Sequence, residues 1–95
     1  MAVRVLIKRE VEPVHEPHLH HVLVRLRAKA MEQAGYISGE TLRSLENPDE
    51  ILVISTWNKL ADWKAWENSP ERRQIEKEIA GYLRRPESTS LYGYP

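Results

Sequence analysis

Apolar and polar residues alternate at period two across VRVLIKREV, with Val3, Val5, Ile7 and Val11 on one side and Arg4, Leu6, Lys8 and Glu10 on the other. Successive strand side chains point to opposite faces, so this alternation predicts a first strand. Pro13 and Pro17 bracket a short loop, and the fixed φ and missing N–H of Pro17 suit the first turn of a helix. Leu19, Val22, Leu23, Leu26, Ala30 and Ala34 then recur at helical spacing before Gly35, predicting a helix over 17–34. Tyr36 to Glu46 has the β-formers and rough alternation of a second strand, and Asn47-Pro48-Asp49-Glu50 places proline where a type I turn accepts it. ILVISTW, Ile51 to Trp57, is nearly all apolar and β-branched, the composition of a central strand covered on both faces. A second helical pattern runs from Leu60 to Leu83, with Asn58 as its expected cap and a break at Ser69, where Ser69-Pro70-Glu71 starts a fresh turn. Thr89 to Tyr94 reads as a short last strand.

The order β-α-β-β-α-β is a ferredoxin-like α+β pattern, expected as one domain over 1–95. Two helices cover one face of such a sheet and leave the other bare. The second parity class nevertheless holds Leu6, Leu42, Leu52, Ile54 and Leu91, mixed with Arg4, Lys8, Glu40 and Thr56. That apolar content predicts a homodimer packed through the sheet faces, since closed two-fold pairing is the commonest way to cover such a surface.

The charge balance narrows the partners. Lys plus Arg and Asp plus Glu are 14 each, so no net field recruits nucleic acid. The absence of cysteine excludes a thiolate metal site and a cysteine nucleophile. The four glycines are scattered, leaving no phosphate cradle for a nucleotide. No apolar run approaches the roughly 20 residues that span a bilayer, and Met1 to Glu10 alternates like a strand instead of a signal peptide, so no membrane partner and a cytoplasmic location are expected.

ILVISTWNKLADWKAWENSPERRQIEKEIAGYL, taken with VRVLIKREV and GYISGETLRS, resembles the antibiotic biosynthesis monooxygenase family over nearly the whole chain. The telling part is a β-rich run ending in Trp57, then Trp63 and Trp66, then Ser69-Pro70-Glu71. The resemblance implies a dimeric α/β barrel with a ligand cleft in each subunit. It also implies a cofactor-independent monooxygenase acting on a small phenolic, quinol or polyketide-like aromatic compound; the alternative is a dimeric barrel that binds a small aromatic ligand without turnover. An ionised phenol or hydroquinone gives an electron to dioxygen directly, so the protein has to bind, desolvate and deprotonate it, with no cofactor and no metal. On this reading Trp57 is the cleft wall at the active centre and Lys8 or His18 supplies the cation or base. Trp63, Trp66 and Arg43 contact substrate, and Val53 stands where some members carry a polar group. Tryptophans at helical spacing equally serve as core. The family's haem-degrading branch places a histidine near Glu76 and an asparagine near Lys8, so haem is not expected here.

His15, His18, His20 and His21 gather around the start of the first helix, and His18 and His21 share a helical face. They read as a solvated turn or as candidate bases and metal ligands. Arg72-Arg73 and Arg84-Arg85 lie among glutamates and read as solvated helix surface.

Overall fold

The computed structural model describes residues 1–95. Its elements are β1 (Val3–Glu10), α1 (Glu16–Met31), β2 (Tyr36–Arg43), β3 (Glu50–Trp57), α2 (Leu60–Glu67), α3 (Pro70–Ala80) and β4 (Ser88–Gly93), with a single 3-10 turn at Pro13–His15 before α1. The four strands form one antiparallel sheet in the order β2-β3-β1-β4. This is the ferredoxin-like arrangement, and the sheet of a single chain is open, with β2 and β4 as its edges.

The strand alternation sorts the residues as expected. Val5, Ile7, Ile51 and Trp57 are buried with Leu19, Val22, Leu26 and Ala30 of α1 and Ile75 and Ile79 of α3, forming the core between helices and sheet. Helix α3 starts where its local chemistry dictates. Ser69 is extended, its Oγ accepts the Arg72 backbone N–H at 3.1 Å, and Pro70 occupies the first turn. The expected turn also forms, with the Glu50 N–H donating to the Asn47 carbonyl at 2.9 Å.

Several expectations need correction. Asn58 does not cap α2: Lys59 holds that position without a side-chain bond, and the Asn58 N–H donates to the Gly35 carbonyl at 2.7 Å. Helix α1 ends at Met31, three residues early, because the chain tightens to reach Gly35 at φ 84°. A Cβ there would lie 2.2 Å from Asp62 Oδ2, so the loop approaches α2 closely enough that glycine is required. Strand β2 stops at Arg43, and its register shifts between Tyr36 and Ser38, which turns Tyr36 toward the helices and Ser38 away. Leu91 belongs to the helix-covered side, because it pairs with Val5 and directly opposed residues share a face. The bare face instead carries Leu6, Leu42, Leu52, Ile54 and Tyr92 with Arg4, Lys8, Glu40 and Thr56.

Candidate functional site

The helix-covered side of β2 and β3 is not filled completely. A cavity of about 450 Å³ opens between α1 and these strands, with α2 and the start of α3 at its inner end. Its wall is aromatic. Trp57 closes β3, where its neighbours Tyr36 and Trp63 meet it edge-on at 5.3 and 5.7 Å between ring centres. Trp63 and Trp66 are three apart on α2 and therefore face the same way; both line the cavity and are nearly fully buried. The Trp57 Nε1–H donates to Ser55 Oγ at 3.0 Å, fixing the indole, whereas the buried Trp63 Nε1–H has no acceptor.

The mouth is polar. Arg27 donates from α1 to the Gly39 carbonyl on β2 at 2.9 Å, and Arg43 of β2 pairs with Glu16 of α1, so two guanidiniums tie the helix to the edge strand across the opening. Arg43 also donates to the Pro48 carbonyl at 2.5 Å. His20 lies on the lining beside Glu16.

The inner end holds charge. Arg9 is 1% exposed, donating from Nε to Glu87 and from Nη2 to Glu76, each at 3.0 Å. Arg72 adds ion pairs at 3.4 Å to Glu76 and 3.8 Å to Glu87, and its guanidinium lies 5.0 Å from the centre of the Trp63 ring. Burial pushes the Glu76 carboxyl up to about 7, reinforced by its hydrogen bond to Glu87 and opposed by the two guanidiniums. Burial acts on Glu87 the same way, but the bond from Glu76 and the charges of Arg9 and Arg72 outweigh it and hold Glu87 below the usual carboxylate range. The pair therefore retains a proton to higher pH than a free carboxyl does.

Of the residues singled out from the sequence, Trp57, Trp63, Trp66, Arg43 and Val53 come together on this lining. Two do not. Lys8 pairs with Leu52 on the opposite face of the sheet, exposed, because its strand parity points it away from the helices. His18 stacks on Tyr82 with the rings 8° from parallel and is absent from the lining; His20, two residues along, takes the rim position. The histidines do not converge on a metal site, as no group of three or more potential ligands is arranged to hold an ion. Arg72 corrects the solvated-surface reading of its pair, being buried on the same helical face as Ile75 and Ile79. Arg9 is the residue the sequence reasoning missed. Its signal was present, because it falls in phase with Val5, Ile7 and Val11, and a charge in a buried parity class requires a partner.

Residues 2–78 match the family model for antibiotic biosynthesis monooxygenase. The chain belongs to this family. Among curated relatives, protein SchA of Streptomyces halstedii is 27% identical over 82 residues, covering 86% of this chain and 22% of SchA. The 42.8 kDa protein in the whiE locus of Streptomyces coelicolor is 29% identical over 82 residues, 86% of this chain and 21% of its own length. This antibiotic biosynthesis monooxygenase domain thus spans well under a third of either relative. Among solved structures, a conserved protein from Methanosarcina mazei superposes with a TM-score of 0.90 at 20% identity, covering 97% of this chain and 91% of its own. SnoaB, a cofactor-independent oxygenase from Streptomyces nogalater, gives 0.87 at 14% identity, covering 99% of this chain and 93% of its own. At these identities the likeness establishes the fold.

Proposed function

We propose that the protein oxidises a small phenolic, quinol or polyketide-like aromatic compound with dioxygen, without a cofactor, in the cleft between α1 and the sheet. One observation carries this reading: a cavity large enough for a fused aromatic compound, walled by Trp57, Trp63, Trp66 and Tyr36, with cations at both mouth and inner end. In the reaction, His20 at the rim accepts the phenolic proton, in place of His18. Arg43 at the mouth is placed to stabilise the anion that forms, in place of Lys8. The electron-rich ring then reduces dioxygen. In a phenol with a free para position, that ring C–H becomes C=O with one oxygen atom of dioxygen, the other leaves as water, and all four electrons come from the substrate. A hydroquinone, which has no such C–H, gives two electrons and two protons to dioxygen and leaves as quinone with hydrogen peroxide. Trp57, Trp63 and Trp66 supply stacking surface, and Val53 contributes apolar wall. Membership of the family and the likeness to SnoaB support oxygenase chemistry.

The bare sheet face is where a second copy packs on this reading, burying Leu52 and Ile54. Oxygen uptake by the purified protein with a panel of hydroquinones and naphthols tests the activity. Uptake above the autoxidation blank that falls at least ten-fold in His20→Ala supports it. Saturable quenching of tryptophan fluorescence without uptake points to the binding-only alternative, which Lys8 favours by standing outside the cleft.

A further inference from the structure

Arg9 and Arg72 occupy one ion cluster but are not equivalent. Arg9 spends its donors on two 3.0 Å bonds to Glu87 and Glu76. Arg72 only approaches the same carboxylates, through Nη2 at 3.4 and 3.8 Å, and its side chain makes no hydrogen bond although it is 9% exposed. A guanidinium carries five N–H donors, and those of Arg72 are not sealed from water, so the ones its carboxylates leave unused stay open to the cleft it lines. The carboxylates stand behind the two arginines, while both arginines line the cleft. Trp63, under the Arg72 guanidinium, adds a buried indole N–H with no acceptor. The charge count points the same way. Two guanidiniums and two carboxylates make up the cluster, and while the Glu76–Glu87 pair retains a proton the cluster is one positive charge in excess.

We propose that the inner end of the cleft recognises a carboxylate carried by the aromatic ligand, with the Arg72 guanidinium as its partner, so that the compound taken is an aromatic carboxylic acid. This deepens the cleft reading above and rests on it. The planar fork of Arg72 presents parallel donors that match the two oxygens of a carboxylate. A carboxylate is also ionised at neutral pH without help from the protein, so its recognition leaves the phenolic end of the ligand free for the base at the rim. Stacking on the tryptophans then sets the plane of the ring, and the acid group at the inner end sets which edge faces the mouth.

Binding of 2-naphthoate and of its neutral isostere 2-naphthamide to the full chain, followed by tryptophan fluorescence and calorimetry at pH 6.5, tests this. Neither probe has an oxidisable hydroxyl, so the outcome is independent of turnover. The wild type is expected to bind naphthoate about ten- to a hundred-fold more tightly, the range of a charge-assisted hydrogen bond. Arg72→Met should bring that ratio near one while leaving the naphthamide affinity within a few-fold. Arg72→Lys, which keeps the charge and loses the fork, should give an intermediate ratio and serves if the methionine variant does not fold. Equal affinities in the wild type overturn the proposal, as does a ten-fold preference that survives in folded Arg72→Met. If neither probe binds, the cleft reading itself fails, whereas a naphthoate preference without oxygen uptake by any phenol removes only the oxygenase assignment.

Discussion

The Arg72 guanidinium carbon lies 5.0 Å from the centre of the Trp63 ring, which joins the aromatic wall of the cleft to the buried ion cluster behind it. A cation over an indole face is attracted by the ring quadrupole, more strongly where water is excluded. The contact couples two parts of the molecule that chain distance separates, since Arg72 also approaches Glu87 beyond α3 and, through Glu76, is linked to Arg9 on β1.

Arg9 holds that cluster together, being 1% exposed with both its ion pairs at 3.0 Å. Arg9→Met leaves two carboxylates facing one another with a single guanidinium, and breaking a buried pair in this way costs about 3–5 kcal/mol. Urea denaturation at pH 8 should show a loss of that order. At pH 5 the loss should be smaller, because the raised Glu76 carboxyl then carries a proton and only Glu87, held low, still faces the missing charge. An unchanged midpoint at pH 8 would show that the cluster is not a stabilising contact.

The Glu76 carboxyl, raised from 4.5 to about 7 by burial, keeps its proton in the folded chain over a range where the unfolded chain has released it. The native state then binds more protons, so stability is greatest near the unfolded value and falls as pH rises through about 7. The slope is at most about 1.4 kcal/mol per pH unit for a single proton. Glu87, held low, acts in the opposite sense at more acid pH. Comparing the wild type with Glu76→Gln from pH 5 to 8 isolates the effect from the histidines. The difference in urea midpoint should move in favour of the glutamine variant as pH rises, and parallel curves would refute it.

At Gly35, φ is 84° and a Cβ would meet the Asp62 side chain. Gly35→Ala should destabilise the protein by at least about 1–3 kcal/mol, the usual cost of an L residue held in a sparsely populated backbone region, with the contact adding to it. A thermal midpoint within a degree of wild type would mean that the loop relaxes freely.

The bare face places Leu52 beside Leu42 and Ile54 beside Leu6, an apolar centre flanked by Lys8 and Arg4. Light scattering at micromolar concentration should give twice the 11.1 kDa chain mass. Ile54→Asp puts a charge in the middle of that surface and should yield a monomer with the same far-UV circular dichroism. A wild-type monomer would refute the pairing.

Periodicity along the chain determined the elements and their order. Val3, Val5 and Ile7 at period two, Leu19, Val22 and Leu26 at helical spacing, and Ser69-Pro70 opening α3 are local patterns, because strand alternation, helix faces and caps depend on residues a few positions apart. The same local reading located Trp57, Trp63 and Trp66, whose shared cleft follows from one strand end and one helix face.

What only the tertiary structure decided is which charges meet inside. Arg9, Arg72, Glu76 and Glu87 come from β1, α3 and the segment before β4, up to 78 residues apart, and no local pattern pairs them. Strand register decided the rest. A shift at Ile37 turned Tyr36 toward Trp57, antiparallel pairing with Val5 brought Leu91 to the covered side, and parity sent Lys8 away from the cleft. Period-two alternation divides a strand's residues into two sets, but which face each set takes is settled only when hydrogen-bonded neighbours and the helices above them lock the register.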